Sequence, residues 1–282
     1  MPNIGTLAAI AAALLFWATI GMVKLAAAMG AIGILGVRIS GTTVLLTLIL
    51  TLFFRSDAST LVTQIRPNLP LVCCAALMIG TAFFLFAWAL LNGHGLSVAQ
   101  AYLLIPFSLI FGGRIFFHER LRRIQWLGVC FAGMGVMHEL LAYGALSWVT
   151  LVQTFAVTGY LLLHRVLHRK GCSSIQLLVA EFWLLFPAAI ALLMIDLAKV
   201  VPFLASLSGV VVVMGLLLVT TLAYLSYIIS NQHLSCAAFG MWGNLDPILI
   251  LLSSVLFFNS QMRWSDLLTY VPMLVGTVLV VF

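Results

Sequence analysis

Long apolar runs separated by short polar breaks dominate the chain. A helix needs roughly 20 apolar residues to cross the hydrocarbon core of a bilayer. Cut at charged or Gly/Pro/Asn-rich breaks, the pattern predicts ten spans. They lie at about 4–29, 31–54, 69–92, 96–117, 124–141, 147–166, 174–196, 207–231, 235–258 and 265–282. The longest break, 55–68, holds Arg55, Asp57, Arg66 and Pro67, and no break is long enough for a soluble domain. The first run, from Ile4, exceeds the apolar core of a secretory leader and has no basic segment before it. It reads as a retained first span.

Composition strengthens this picture. The 282 residues are 64% hydrophobic and 7% charged, against about 25% charged in an ordinary soluble domain. Thirteen basic and seven acidic residues cannot cover a soluble surface of this size. A soluble enzyme, a disordered chain and a nucleic-acid-binding module are therefore excluded. The net charge of +6 reads instead as orientation. With the N-terminus cytoplasmic, the inner loops hold Arg55, Arg66, Arg120, Arg122, Arg123, Arg165, Arg169 and Lys170, and the outer loops only Lys199 and Arg263. That distribution puts both termini inside. Five scattered cysteines show no metal spacing. His138-Glu139 begins like a zinc-protease helix but lacks the second histidine. No phosphate-cradling loop is present, so neither a metal, a cofactor nor direct ATP use is expected.

The second half repeats the first. Pro106 and Pro247 are 141 residues apart, as are Phe116-Phe117 and Phe257-Phe258, and Gly135 and Gly276. An offset of 139 links Thr81 to Thr220, Trp88 to Tyr227, Asn92 to Asn231 and His94 to His233. Residues 1–142 and 146–282 thus read as two five-span units. Five is odd, so the units lie in opposite orientation. Inverted repeats can exchange conformations and open a central site to either side, with substrate near the midplane.

Ionisable residues inside spans are costly and are candidates for function. Arg38 lies about seven residues into the second span, roughly 10 Å deep. Its guanidinium suits a substrate carboxylate, or else an internal ion pair or snorkelling. Glu181 is its repeat partner, since 181 − 38 = 143. It suits an amine, a coupling proton or a structural pair. Asp246 precedes Pro247, where a freed carbonyl and a kink let the backbone join a site. Thr81, Trp88 and Asn92 share one helix face, as do Thr220, Tyr224, Tyr227 and Asn231. These polar-aromatic stripes suit a cavity, or interfacial and interhelical packing. Gln100, Tyr102, Trp17 and Trp242 are further candidate lining residues. Gly128, Ala132 and Gly135 suit close helix contact.

The sequence resembles the drug/metabolite transporter superfamily, EamA family, RarD-like subgroup. The resemblance covers the whole chain and is clearest in Trp88-Ala-Leu-Leu-Asn92, Ala99-Gln-Ala-Tyr102, Pro106 and Glu119-Arg-Leu-Arg-Arg-Ile-Gln-Trp126. It implies an all-α membrane protein of ten transmembrane helices in two inverted five-helix repeats. It implies residence in a bacterial inner membrane and export of a small polar or zwitterionic metabolite, such as an amino acid or an opine-type metallophore. The alternative is a hydrophobic drug exporter of the same fold. The expected partners are a small-molecule substrate and lipid. A monomer is sufficient, with a dimer as the other state. The chain departs from the subgroup at Ile105, Gln100 and Asp246, where Asn, an apolar residue and Gly are usual. These changes point to a substrate unlike that of typical members.

Overall fold

The computed structural model describes residues 4–53, 63, 65–91, 94–143, 147–246, 249 and 264–281. The described residues are almost entirely helical, with no strand among them. In chain order the helices are α1 (Ile4–Leu25), α2 (Gly30–Phe53), α3 (Leu69–Leu91), α4 (Gly95–Phe117), α5 (Arg123–Tyr143) and α6 (Trp148–Arg169). Then come α7 (Ser174–Ile195), α8 (Leu197–Leu204), α9 (Leu207–His233), α10 (Cys236–Trp242) and α11 (Trp264–Val281). Eight of the described helices are long and apolar enough to cross a bilayer. The ninth expected span is described as α10 and a few residues beyond it, and Pro247 lies outside the described residues. The tenth corresponds to α11. Asn92 also lies outside the described residues.

Local chemistry sets the helix ends. The hydroxyls of Ser147, Ser206 and Ser235 accept the backbone N–H groups of Thr150, Gly209 and Ala238, capping α6, α9 and α10. At the end of α4, His118 adopts φ 54°. This left-handed turn stops the helix and sends Glu119 back over the bundle. The short α8 was not expected from the sequence. Its eight residues fill the break expected between 174–196 and 207–231, which read as a connection because it holds Lys199 and Pro202.

The bundle is held by helix pairs. α1 packs on α9, α2 on α7, α3 on α6, α4 on both α6 and α10, and α5 on α11. Small residues let backbones approach. A Cβ on Gly36 would lie 2.8 Å from the Leu193 amide nitrogen, and one on Gly128 would lie 2.7 Å from the Gly276 carbonyl. Gly135 meets the Thr269 carbonyl in the same α5–α11 seam. The glycines expected to permit close contact thus do so. The core runs from Leu46 and Ile79 through Tyr160 and Phe182 to Tyr224 and Phe239. Around it Leu7, Val44, Leu77, Phe111, Phe155 and Leu218 are exposed. An apolar girdle of this kind would aggregate in water and suits lipid. The protein is a multi-pass membrane protein.

Candidate functional site

A crevice of about 260 Å³ opens between α1, α9 and the segment that follows α10. Ala9, Ala12, Ala13 and Phe16 line it from α1. They fall at i, i+3, i+4 and i+7, one face of the helix. The three alanines leave space where longer side chains would fill it. Tyr227 enters from α9, and Phe239, Trp242 and Asp246 close the far wall. The rings support one another. Phe16 meets Tyr227 at 5.5 Å and Tyr224 at 5.2 Å, both edge to face, and Tyr227 lies 4.9 Å from Phe239. The indole Nε1 of Trp242 is buried without a hydrogen-bond partner among the described residues.

A second group adjoins this one. Tyr102, Tyr224, Tyr227 and Phe239 belong to or pack against the same core cluster, and Phe83 meets Tyr224 at 5.5 Å. Arg38 is half-buried. Its Nε donates to Thr220 Oγ1 at 3.2 Å, and its guanidinium carbon lies 6.0 Å from the centre of the Phe83 ring. Among the described residues no salt bridge joins Arg38 to Asp246 or to Glu181. The structure therefore brings Arg38, Tyr102, Tyr224, Tyr227, Trp242 and Asp246 towards one region.

The other expected residues sit elsewhere. Trp88 stacks on His94 at 5.3 Å and tilts against Trp148 at 5.7 Å, at the end of α3. Gln100 is buried in the α4–α6 seam, where Thr150 Oγ1 donates to its Oε1 at 3.4 Å. Trp17 is half-buried next to Phe16 but is not among the crevice-lining residues. Glu181 is fully buried on α7 and turned to α6. The Tyr160 hydroxyl donates to its Oε2 at 3.0 Å, and His164 Nε2 lies 4.0 Å away. Its other oxygen, Oε1, has no partner among the described residues. Tyr160 and Tyr224 lie in one buried cluster, with Tyr227 packed against it.

Carboxylates clamp both ends of the bundle. At one end Arg165 Nη1 donates to Glu119 Oε1 at 3.1 Å, and Nη2 donates to the carbonyl and side-chain oxygens of Asn231. Both Glu119 oxygens accept the Cys236 amide, each at 2.9 Å. Arg169 covers the Phe117 ring at 4.3 Å. Arg165, expected in a loop, is instead in α6 and 7% exposed. At the other end Asp196 accepts the Gly33 amide at 3.2 Å and the Lys199 ammonium at 2.8 Å. That ammonium, together with the Gly33 amide, holds the Asp196 carboxyl below the usual carboxylate range.

Phe16, Phe239, Tyr160 and the Glu119–Arg165 pair were not singled out from the sequence. The alanine face of α1 was the available signal for Phe16. Glu119 stood in a quoted motif, yet nothing in the sequence shows which arginine it meets. Among the described residues no cluster of three metal-ligating side chains occurs.

Residues 3–138 match the EamA-like transporter family. The chain is 32% identical over 197 residues to the Chloramphenicol-sensitive protein RarD of Pseudomonas aeruginosa, covering 69% of this chain and 64% of that one. It is 33% identical over 196 residues to an uncharacterized transporter of Haemophilus influenzae, covering 68% and 64%. The match thus spans less than two thirds of either relative. Protein RarD of Salmonella typhi is 30% identical over 201 residues, covering 71% of this chain and 68% of its own. One solved crystal structure, 16% identical, shares the fold with a TM-score of 0.68 over 98% of this chain and 96% of its own. The chain belongs to the EamA-like transporter family, as a RarD-like member of the drug/metabolite transporter superfamily.

Proposed function

We propose that the protein is a secondary transporter that exports a small zwitterionic metabolite across the bacterial inner membrane by alternating access. The observation that carries this reading is that two opposite charges flank one aromatic cluster without pairing. Arg38 lies against Phe83, Phe83 meets Tyr224, and Phe16 joins Tyr224 to the crevice that Asp246 lines, yet among the described residues no salt bridge joins Arg38 to Asp246. A guanidinium favours a substrate carboxylate. A carboxylate beside aromatic rings favours an amine. A zwitterion satisfies both.

The packing supports ten helices in two inverted repeats, 1–142 and 146–282. Exchange α1 to α5 for α6, α7, α9, α10 and α11 in that order. The pairs α2–α7, α4–α10 and α5–α11 then map onto themselves, and α1–α9 maps onto α3–α6. A two-fold relation requires this pattern. The clamps at the two ends each join one half to the other, so one can open while the other holds. The Arg-rich end faces the cytoplasm in this reading, with both termini inside. One chain contains both halves, so a monomer is sufficient.

A hydrophobic drug exporter is the second reading. The aromatic lining favours it, and one relative is named for chloramphenicol sensitivity. The guanidinium of Arg38 and the carboxyl of Asp246 favour a zwitterion over an uncharged drug. The test compares spent-medium metabolites of cells expressing the intact chain and its Arg38→Ala variant. One zwitterion enriched outside only with the intact chain is the expected result. Equal media, with both proteins verified in the membrane, would remove Arg38 from the site.

A further inference from the structure

The crevice has a composition that goes further than a generic polar site. Four aromatic side chains, Phe16, Tyr227, Phe239 and Trp242, line it with one carboxylate, Asp246. Among the described residues no lysine or arginine lines it. The rings are held in place by mutual contacts, Phe16 with Tyr227 and Tyr227 with Phe239. They come from three separate elements, α1, α9 and α10. We infer that this crevice is an alkylammonium-binding subsite, in which the rings surround the methyl or methylene groups next to a substrate nitrogen and Asp246 faces its charge. The inference rests on the zwitterion reading and assigns the positive end of the substrate to a particular place, apart from Arg38.

Aromatic faces are negative and attract cations most strongly when water is excluded. Alkylammonium groups are weakly hydrated, so their transfer into an apolar crevice costs less than that of ammonium itself. The small side chains of Ala9, Ala12 and Ala13 leave the ring faces of Phe16 and Tyr227 uncovered on the α1 side. The guanidinium of Arg38 lies against Phe83 and Thr220, outside this wall. It is therefore available to the carboxylate end. Trp242 Nε1, buried without a partner among the described residues, is a donor that a substrate oxygen can meet.

The test is equilibrium binding of radiolabelled tetramethylammonium to the purified full-length protein in lipid nanodiscs. A second arm uses trimethylglycine, which adds a carboxylate to the same head group. Neopentyl alcohol serves as the neutral competitor of similar shape. The proposal expects saturable tetramethylammonium binding that the alcohol does not displace. Asp246→Asn and Tyr227→Leu should each weaken it by about tenfold or more, and Asp246→Glu should recover most of it. Each variant is first required to elute as a single species and to melt near the intact protein. Absence of saturable binding, displacement by the alcohol, or unchanged binding in both Asp246→Asn and Tyr227→Leu would overturn the subsite. Should a variant fail to fold, titration of the intact protein against the neutral competitor still decides between a cation site and a merely apolar one. The Arg38→Gln variant separates the two readings. Loss of its preference for trimethylglycine over tetramethylammonium supports the zwitterion. A retained preference overturns the zwitterion reading and leaves the ammonium subsite standing.

Discussion

Glu119 and Asp196 do the same job at opposite ends of the bundle, with different strength. α6 and α7 form a hairpin, so Arg165 near the end of α6 and Asp196 after the end of α7 are separated by roughly 30 Å of helix. Each carboxylate accepts a backbone N–H in the first turn of a helix from the other half, Cys236 in α10 and Gly33 in α2. A helix N-terminus favours an anion in both cases. The partners differ. The Arg165 side chain is 7% exposed and also holds Asn231, whose amide in turn donates to the Leu161 carbonyl. The Lys199 side chain is 58% exposed, and its pairing is a local i,i+3 contact. A buried, multiply bonded pair fixes geometry, whereas an exposed one exchanges with water at little cost. The comparison teaches that the Glu119 contact is the more rigid tie, and that the Asp196 contact is the easier one to part.

The largest expected effect breaks the firm end. Arg165→Leu removes the cation and leaves Glu119 without its charge partner. Glu119 is 20% exposed and keeps the Cys236 amide, so a loss of about 2–3 kcal/mol is expected, below that of a fully buried unpaired charge, seen as a lower melting temperature in detergent. A change no larger than that of Lys199→Ala would mean that the two clamps are equivalent. Next comes access to Cys236, which is 1% exposed and sits on the Glu119 clamp. With Cys73, Cys74, Cys130 and Cys172 replaced by serine, Glu119→Gln should raise its alkylation rate by about tenfold, the factor given by about 1.4 kcal/mol of easier opening. Asp196→Asn should leave that rate near its starting value. Equal rates in the two variants would sink the distinction.

Smaller effects sharpen the other end. Lys199→Ala should barely move the melting temperature at high salt and move it slightly at low salt, because exposed pairs are screened. A large salt-independent shift would contradict the exposed reading. Asp196 also gives a pH dependence. Its folded carboxyl titrates below its unfolded value, about 3.9 for Asp. Its contribution is therefore complete above that value and is lost as pH falls through the lowered folded one. The difference in melting temperature between the intact protein and Asp196→Asn should stay constant through neutral and mildly acid pH and shrink only in strong acid. A difference that faded around neutrality would assign the clamp to another group.

Much of the fold was readable because hydrocarbon imposes its length on each apolar run. α1 to α7 and α9 follow those runs closely. The eight-residue α8 read as a connection, because it holds Lys199 and Pro202. The site was legible in part. Thr220, Tyr224 and Tyr227 stood out because helical spacing puts polar and aromatic groups on one face. Phe16 did not, because every face of α1 is apolar and hydropathy cannot tell lipid from crevice. Trp88 and Gln100 were placed on suitable faces, yet their neighbours turn out to be His94, Trp148 and Thr150. Periodicity gives a face but not the element opposite it. The repeat expected from the sequence paired Glu181 with Arg38, yet the two occupy different surroundings. A shared offset along the chain says nothing of the side chains packed around each position. Arg165 closes the expected 147–166 run and counted as a loop charge, but the helix continues to Arg169 and turns Arg165 inward onto Glu119 and Asn231.

The most direct test of the account is efflux from proteoliposomes loaded with a cell extract of small metabolites, comparing the intact chain with Asp246→Asn and Arg38→Ala. The account predicts that one compound bearing both an amine and a carboxylate leaves vesicles containing the intact chain, and leaves neither variant at more than a small fraction of that rate. Efflux of that compound at the intact rate from both variants would contradict it.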